Sequence, residues 1–150
     1  MTSSVIFAMP IKSDGLEVLL DTSCAVAIMV GGHEHQEATE SAIAGRNVGL
    51  AGHARFELFS VLTRLPPQLR RSPKVVADSI TLNFPSSAFL SSEAAASLLT
   101  RLGMLEIAGG SVYDALVGAT AVEHDLPLAT RDRRALPTYR ALGVRVELIG

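Results

Sequence analysis

Two acidic residues of this 150-residue chain follow short apolar runs that predict buried strands. Asp21 comes directly after Val18-Leu19-Leu20, and Asp132 comes shortly after Pro127–Thr130. In open parallel sheets, ligands bind outside the carboxyl ends of the strands, so both acids are predicted to lie where sites form. The simpler interpretation of Asp21 is a helix N-cap, because a helix is predicted to follow it. Thr22 or Ser23 is an alternative cap that would leave the Asp21 carboxylate free.

Glu57 is a third candidate, on a helix predicted from about His53 to Leu65. It borders the apolar face of that helix, from which a carboxylate can reach either a cleft or solvent. The positions predicted to face the core are Ala54, Leu58, Val61, Leu62 and Leu65.

Asp114 is the fourth candidate, in the first turn of a helix predicted from Ser111 to about His124. An acid there also suits the helix dipole, which is the simpler interpretation. Asp114 is predicted to share its side of the helix with Gly118 and Ala121, whose small size lets another backbone or a ligand come close. The predicted packed face consists of Val112, Ala115, Leu116, Ala119 and Val122.

If the four acids meet at one edge of the sheet, their like charges repel strongly unless a cation neutralises them. Mg²⁺ or Mn²⁺ fits an all-oxygen donor set, and the sequence has no Cys/His set with zinc spacing. An acidic metal centre rimmed by arginines suits a phosphodiester backbone, whereas ordinary surface ion pairs are the alternative. The candidate rim residues are Arg55, Arg64, Arg131, Arg133 and Arg134.

Composition excludes several classes of protein. A net charge of −2 argues against a chain that coats nucleic acid by bulk charge, and no run approaches the roughly 20 apolar residues of a membrane span. The single cysteine, Cys24, excludes an internal disulfide framework, is predicted to pack as a small apolar side chain, and suits the cytoplasm. We expect one domain over residues 15–150, preceded by an extension, residues 1–14, of unknown role.

Short apolar runs alternate with helical patterns along the chain, which predicts an α/β fold with a mostly parallel sheet. Further strands are predicted at Val48–Ala51, Phe89–Leu90 and Val144–Ile149. The other predicted helices are Cys24–Val30, His33–Ala44, Ser72–Asn83, Ser91–Gly103 and Thr138–Leu142.

Four segments together resemble PIN-domain ribonucleases, and among them the VapC-type toxins of bacterial type II toxin–antitoxin pairs. They are Leu19–Ser23, Phe56–Pro66, Tyr113–Ala121 and Leu128–Asp132. The resemblance covers about residues 16 to 149 and implies a three-layer α/β/α domain with about five short parallel strands. It also implies that Asp21, Glu57, Asp114 and Asp132 form the family's acidic quartet. Thr130 matches a small hydroxyl residue that helps hold the metal-site loop, and Thr22 is a second supporting residue.

The resemblance further implies an endoribonuclease toxin that uses one or two Mg²⁺ or Mn²⁺ ions to hydrolyse RNA, often tRNA or rRNA. It implies a cognate VapB-type antitoxin that inserts a peptide into the active-site groove, and a toxin homodimer. Val26, Ile28, Met29 and the helix at Ser72–Asn83 are candidates for those surfaces. Because aromatic residues are few, we expect RNA to be recognised by backbone and shape through arginines.

Three alternatives are weighed against this hypothesis. One is a DNA-directed or structure-specific nuclease of the same fold, and another is a non-catalytic scaffold that only binds RNA or protein. The third is a response-regulator-like domain, which needs a lysine late in the chain. That alternative is poor, because Lys12 and Lys74 are the two lysines of the sequence.

Overall fold

The computed structural model of the protein describes residues 15–150, so the predicted extension Met1–Asp14 lies outside the described residues. Residues 15–150 form one five-stranded sheet in which every strand pairing is parallel. The strands are β1 (Val18–Leu20), β2 (Val48–Ala51), β3 (Ser87–Ala88), β4 (Leu128–Thr130) and β5 (Val146–Leu148). Their spatial order is β3-β2-β1-β4-β5, which places β1 at the centre. The predicted α/β class is confirmed.

Seven α-helices connect these strands. They are α1 (Thr22–Met29), α2 (Gln36–Ile43), α3 (Gly52–Thr63), α4 (Pro73–Asn83), α5 (Ser92–Leu105), α6 (Ser111–Glu123) and α7 (Leu136–Ala141). A 3₁₀ turn at Arg133–Ala135 precedes α7. Across residues 15–150, no helix is both long enough and apolar enough to cross a bilayer.

Side chains alternate between the two faces of the sheet, as the pleat requires. On one face, Val18, Leu20 and Leu50 pack with buried side chains of α1, α3 and α4. On the other face, Leu19 and Leu128 pack against α6 and α7. The three-layer architecture therefore follows from strands that are buried on both sides, and Cys24 packs in the first of these layers as predicted.

Local capping chemistry sets several helix boundaries. The Ser72 side chain accepts a hydrogen bond from the Val75 backbone N–H, and Pro73 occupies the first turn of α4. Ser91 caps α5 in the same way, through the Ala94 backbone N–H. Both starts agree with the sequence prediction, because Ser and Pro signal them locally.

Three predictions about the elements were wrong in detail. The third strand is Ser87–Ala88 rather than Phe89–Leu90, because the Phe89 ring turns away to cover Gly52 at the start of α3. The second helix begins at Gln36 rather than His33, after a turn. The third error concerns the packed face of α6, which was predicted to include Val122 and to leave Gly118 and Ala121 on the opposite side. In the structure α6 is covered on two sides, so Val117, Gly118 and Ala121 are buried, whereas Val122 is 42% exposed.

Candidate active site

A cleft of about 240 Å³ opens at the carboxyl ends of β1 and β4. Its wall brings together all four acids predicted from the sequence, although they come from four separate parts of the chain. The lining residues are Asp21, Thr22, Ser23, Glu57, Asp114, Val117, Asp132 and Tyr139. This is the side of a parallel sheet where ligands bind.

Asp21 lies at the floor of the cleft and is almost fully buried, with 4% of its surface exposed. Its Oδ1 accepts hydrogen bonds from the Ser23 hydroxyl at 2.5 Å and from the Cys24 backbone N–H at 3.2 Å. Its Oδ2 accepts them from the Thr130 hydroxyl at 2.5 Å and the Tyr139 hydroxyl at 2.9 Å. Four donors from three parts of the chain therefore fix this carboxylate in one orientation.

The bond from Cys24 makes Asp21 the N-cap of α1. The alternative in which Thr22 or Ser23 caps the helix and leaves the carboxylate free is wrong. Burial raises the pKa of Asp21 above its ordinary value, and the hydrogen bonds from Ser23, Thr130, Tyr139 and Cys24 oppose that effect. Asp21 thus combines the capping role with a place in the acidic cluster.

Tyr139 reaches Asp21 from α7, and its ring is almost fully buried. The ring lies against Gly118 of α6, where an added Cβ would stand 3.0 Å from Tyr139 Cδ1 and 3.1 Å from Val144 Cγ2. We predicted that a backbone or a ligand would approach Gly118, but the groups that lie there are two side chains, the Tyr139 ring and Val144. Burial and the nearby Asp21 carboxylate raise the pKa of Tyr139, so its hydroxyl stays protonated and acts as a hydrogen-bond donor.

Two hydroxyl side chains connect the ends of β1 and β4. The Ser23 Oγ accepts a hydrogen bond from the Arg131 backbone N–H at 2.9 Å. The Thr130 Oγ1 accepts one from the Asp132 backbone N–H at 3.0 Å while it donates to Asp21. Thr130 therefore holds the loop that carries Asp132, and its support of a metal site stays a prediction.

Glu57 projects into the cleft from α3 and is held by α1. Its Oε1 accepts a hydrogen bond from the Thr22 hydroxyl at 2.8 Å. Thr22 is the first residue of α1, directly after Asp21, so one turn of chain positions two of the acids. Thr22 thus orients the second carboxylate, consistent with the supporting role predicted for it.

Asp114 carries the clearest electrostatic signal of the cleft. Burial and the negative charges of Asp132, Glu57 and Asp21 raise its pKa to about 6, and Arg134 opposes the shift. Like charges that share a site disfavour each other's ionisation, so the four acids act on one another electrostatically. A bound cation would remove this repulsion.

The donor set suits a hard divalent ion, because it consists of carboxylate oxygens with hydroxyl neighbours. In the described part of the chain, however, no three His, Cys, Asp or Glu side chains are grouped so that they could hold a metal ion. Asp21 is fixed by its four donors, whereas Glu57 and Asp132 are partly exposed. The acids therefore suit a divalent metal in charge and in donor type, but they do not form a metal-binding group in their present positions.

The five candidate rim arginines have different surroundings. Arg131 donates to the Ile149 carbonyl, Arg134 contacts Asp132 at 3.5 Å, and Arg133 is exposed. Arg64 is exposed and donates to the Ser60 carbonyl. Arg55 donates hydrogen bonds to the Phe84 carbonyl at 2.8 Å and to the Ser87 hydroxyl at 2.7 Å, so it connects α3 to β3 and to the segment before it.

Sequence reasoning missed Ser23 and Tyr139 as residues of the site. Ser23 follows the predicted site residues Asp21 and Thr22, so a search for hydrogen-bond donors close to Asp21 in the sequence would have found it. Tyr139 lies 118 residues from Asp21 in the chain, and its segment carries no motif that points to an acid. Its role depends on how α7 packs against α6, which the tertiary structure alone reveals.

The fold agrees with comparisons to known proteins. The PIN domain family matches residues 18–141, and the chain belongs to that family. Among named relatives, Ribonuclease VapC27 of Mycobacterium tuberculosis (strain ATCC 25618 / H37Rv) is 45% identical over 127 residues, 85% of this chain and 93% of the relative. Ribonuclease VapC40 of M. tuberculosis (strain CDC 1551 / Oshkosh) is 43% identical over 131 residues, 86% of this chain and 96% of the relative.

Solved structures share the fold at low sequence identity. VapBC2 from Rickettsia felis, bound to a promoter DNA fragment, superposes with a TM-score of 0.65 at 15% identity, covering 90% of this chain and 100% of that chain. FitAcB from Neisseria gonorrhoeae gives a TM-score of 0.64 at 20% identity, covering 86% and 95%. At these identities, the likeness establishes the three-layer architecture.

Proposed function

We propose that the protein is a metal-dependent endoribonuclease toxin that hydrolyses phosphodiester bonds in RNA, with tRNA or rRNA as the expected substrate. The observation that carries the proposal is the cleft that Asp21, Glu57, Asp114 and Asp132 line together, in which burial and the charges of the other three acids raise the pKa of Asp114 to about 6. The ribonuclease names of the relatives that match most of the chain support the same activity.

The four acids are the groups that would hold one or two Mg²⁺ or Mn²⁺ ions. A divalent ion in such a site makes a nucleophilic water available at neutral pH and stabilises charge on the phosphate oxygens. The protein would supply the orientation of the acids. Asp21 is held by four donors and Glu57 by Thr22, whereas Asp132 sits on a loop fastened by Thr130.

Exposed arginines beside the acids would draw the RNA backbone to the cleft. Arg133 and Arg134 follow Asp132 directly and are exposed to solvent. Because phosphate contacts position a nucleic acid without reading its sequence, these residues would set orientation rather than target choice. Arg131 and Arg64 are further candidates, and Arg55 would contribute only if it left its present bonds.

The test is cleavage of total RNA by purified protein freed of any antitoxin, in Mg²⁺ or Mn²⁺ and then with excess EDTA. We expect cleavage with either metal and none in EDTA or in Asp114→Asn. Asp78→Asn is the matched control, because Asp78 is an exposed acid on α4 that pairs only with Lys74 in the structure. It should cleave as the wild type does.

Other outcomes would assign the protein to an alternative class. Cleavage of single- or double-stranded DNA in preference to RNA would indicate a DNA-directed or structure-specific nuclease of the same fold. Binding of RNA without cleavage in any metal would indicate a scaffold. Equal cleavage by Asp114→Asn and wild type would sink the assignment of the site.

We also propose a cytoplasmic location, a homodimer and a cognate VapB-type antitoxin as partner. An apolar groove of about 100 Å³ between α1, α3 and α4, which includes Met29, Leu62 and Val75, is a surface that a partner peptide can cover. Leu82 of α4 is 81% exposed, which supports a contact on that helix. Light scattering after size exclusion tests the dimer, and co-purification with the product of an adjacent small gene tests the antitoxin.

A further inference from the structure

A stacked pair of rings lies between α3 and α6. The His53 and Tyr113 ring centroids are 5.4 Å apart, and the two planes differ by 8°. Tyr113 is still 51% exposed although His53 covers one face of its ring. The pair therefore presents a flat aromatic surface to solvent, here called the aromatic shelf.

The aromatic shelf stands on the same two helices as two acids of the cleft. Tyr113 directly precedes Asp114 in the first turn of α6. His53 and Glu57 are four residues apart on α3, which places them on the same side of that helix, about 6 Å apart along its axis. A group that stacks on the shelf therefore lies next to the acids, within the span of neighbouring nucleotides.

We propose that the aromatic shelf is a base-stacking subsite for an unpaired nucleotide next to the scissile phosphate; this rests on the proposed function. Every nucleobase has a π face, so a flat aromatic surface binds bases with little preference for sequence. A base within a duplex has both faces covered by its neighbours, so the shelf selects single-stranded segments. The shelf would add base stacking to the contacts that we expect arginines to make with the RNA backbone and shape.

The binding experiment uses ten-nucleotide RNAs that each carry one 2-aminopurine, placed at successive positions in a set of ten. The protein carries the Glu57→Gln substitution, so that the RNA stays uncut during the measurement in Mg²⁺. We expect quenched 2-aminopurine fluorescence at one or two adjacent positions, and none when the same RNA is annealed to its complement. Tyr113→Leu should weaken binding about 5-fold to 150-fold, the range for loss of one base–aromatic contact.

Two further variants separate stacking from a general effect on folding. Tyr113→Phe keeps the ring and should restore both binding and quenching. Phe56→Leu is the matched control, because Phe56 is an exposed aromatic of α3, the helix that carries His53, and it borders the α3–α4 groove instead of the cleft. This variant should bind the RNA as tightly as the Glu57→Gln protein into which it is introduced.

The outcomes distinguish this inference from the proposed function. Unchanged binding and quenching in Tyr113→Leu overturn the inference, even where the wild type cleaves RNA, and leave the shelf as a helix contact or a protein-binding surface. Equal losses in Tyr113→Leu and Phe56→Leu overturn it as well. Position-specific quenching together with a wild type that cleaves no RNA in Mg²⁺ or Mn²⁺ upholds the shelf and defeats the proposed function.

Discussion

The Tyr139 hydroxyl donates a hydrogen bond to Asp21 Oδ2 over 2.9 Å, and both side chains are almost fully buried. This bond joins α7 to the end of β1, the central strand. It is one of four that fix the Asp21 carboxylate, and Tyr139 provides it from the far end of the chain.

Tyr139→Phe removes this donor and keeps the ring against Gly118. A buried hydrogen bond to a charged group contributes about 1.5–3 kcal/mol, so we expect the free energy of unfolding to fall by about 1–2 kcal/mol. Because groups that orient metal ligands typically matter 10- to 100-fold, RNA cleavage should fall about ten-fold. Urea unfolding and cleavage rates check both effects.

The matched control is Tyr113→Phe, which removes a hydroxyl from a half-exposed ring. Its stability should stay within about 0.5 kcal/mol of the wild type. Similar losses of unfolding free energy in the two variants would mean that the hydrogen bond from Tyr139 to Asp21 stabilises the fold no more than the half-exposed Tyr113 hydroxyl does.

Asp114→Asn should stabilise the metal-free protein at neutral pH. The folded-state pKa of Asp114 is raised to about 6 from an ordinary 3.8, so its ionisation disfavours the folded state as pH rises through that interval. Below pH 3.8 the carboxyl is neutral in both states and costs nothing. After allowance for solvent screening of a half-exposed group, we expect a gain of about 1–2 kcal/mol at pH 7.5.

The measurement is urea unfolding in EDTA at pH 7.5 and again at pH 4. The gain should be largely lost at pH 4, and Asp78→Asn should show no such change between the two conditions. A gain of equal size at both pH values would contradict the electrostatic cause.

Mn²⁺ should raise the melting temperature of the wild type in proportion to the logarithm of its concentration once the site is nearly filled. The rise should be smaller at pH 5 than at pH 7.5, because a proton competes for Asp114 below its pKa of about 6. Differential scanning fluorimetry with and without EDTA checks this. An equal rise in Asp114→Asn would place the ion elsewhere.

Gly118→Ala should destabilise the protein by about 1–3 kcal/mol, because the added methyl group crowds the Tyr139 ring and Val144. Displacement of that ring should also lower cleavage. Gly103→Ala in α5 is the control: nothing lies within 4 Å of the added atom, so the change should stabilise by roughly 0.5–1 kcal/mol. Thermal unfolding of the two variants tests the opposite signs.

Local signals in the sequence predicted most of the fold. The apolar runs at β1 and β4 and the caps at Ser72 and Ser91 are encoded within a few residues, and the structure agrees with them. The third strand was misplaced because Phe89 is β-prone in itself, whereas its ring lies against Gly52 at the start of α3. That contact is made with a distant segment, which local propensity does not record.

The acids of the site were predictable for a similar reason, since each stands at a recognisable place on its own element. The residues that donate hydrogen bonds to these acids were less predictable. The bond between Thr22 and Glu57 and the bond between Tyr139 and Asp21 join residues 35 and 118 positions apart. Sequence reasoning on one chain places side chains on elements, but it does not say which donor meets which acceptor across the core.

The span of chain between Asp21 and Tyr139 has a consequence for synthesis. At about 5–20 residues per second, roughly 6–24 s separate the emergence of the acid from that of its donor. A chain that stops at residue 138 already contains all four acids, yet it lacks both the Tyr139 donor to Asp21 and the strand β5. Under the proposed function, we therefore expect unfinished translation products to cleave RNA more slowly than the finished protein, which reaches its full activity only after α7 has packed.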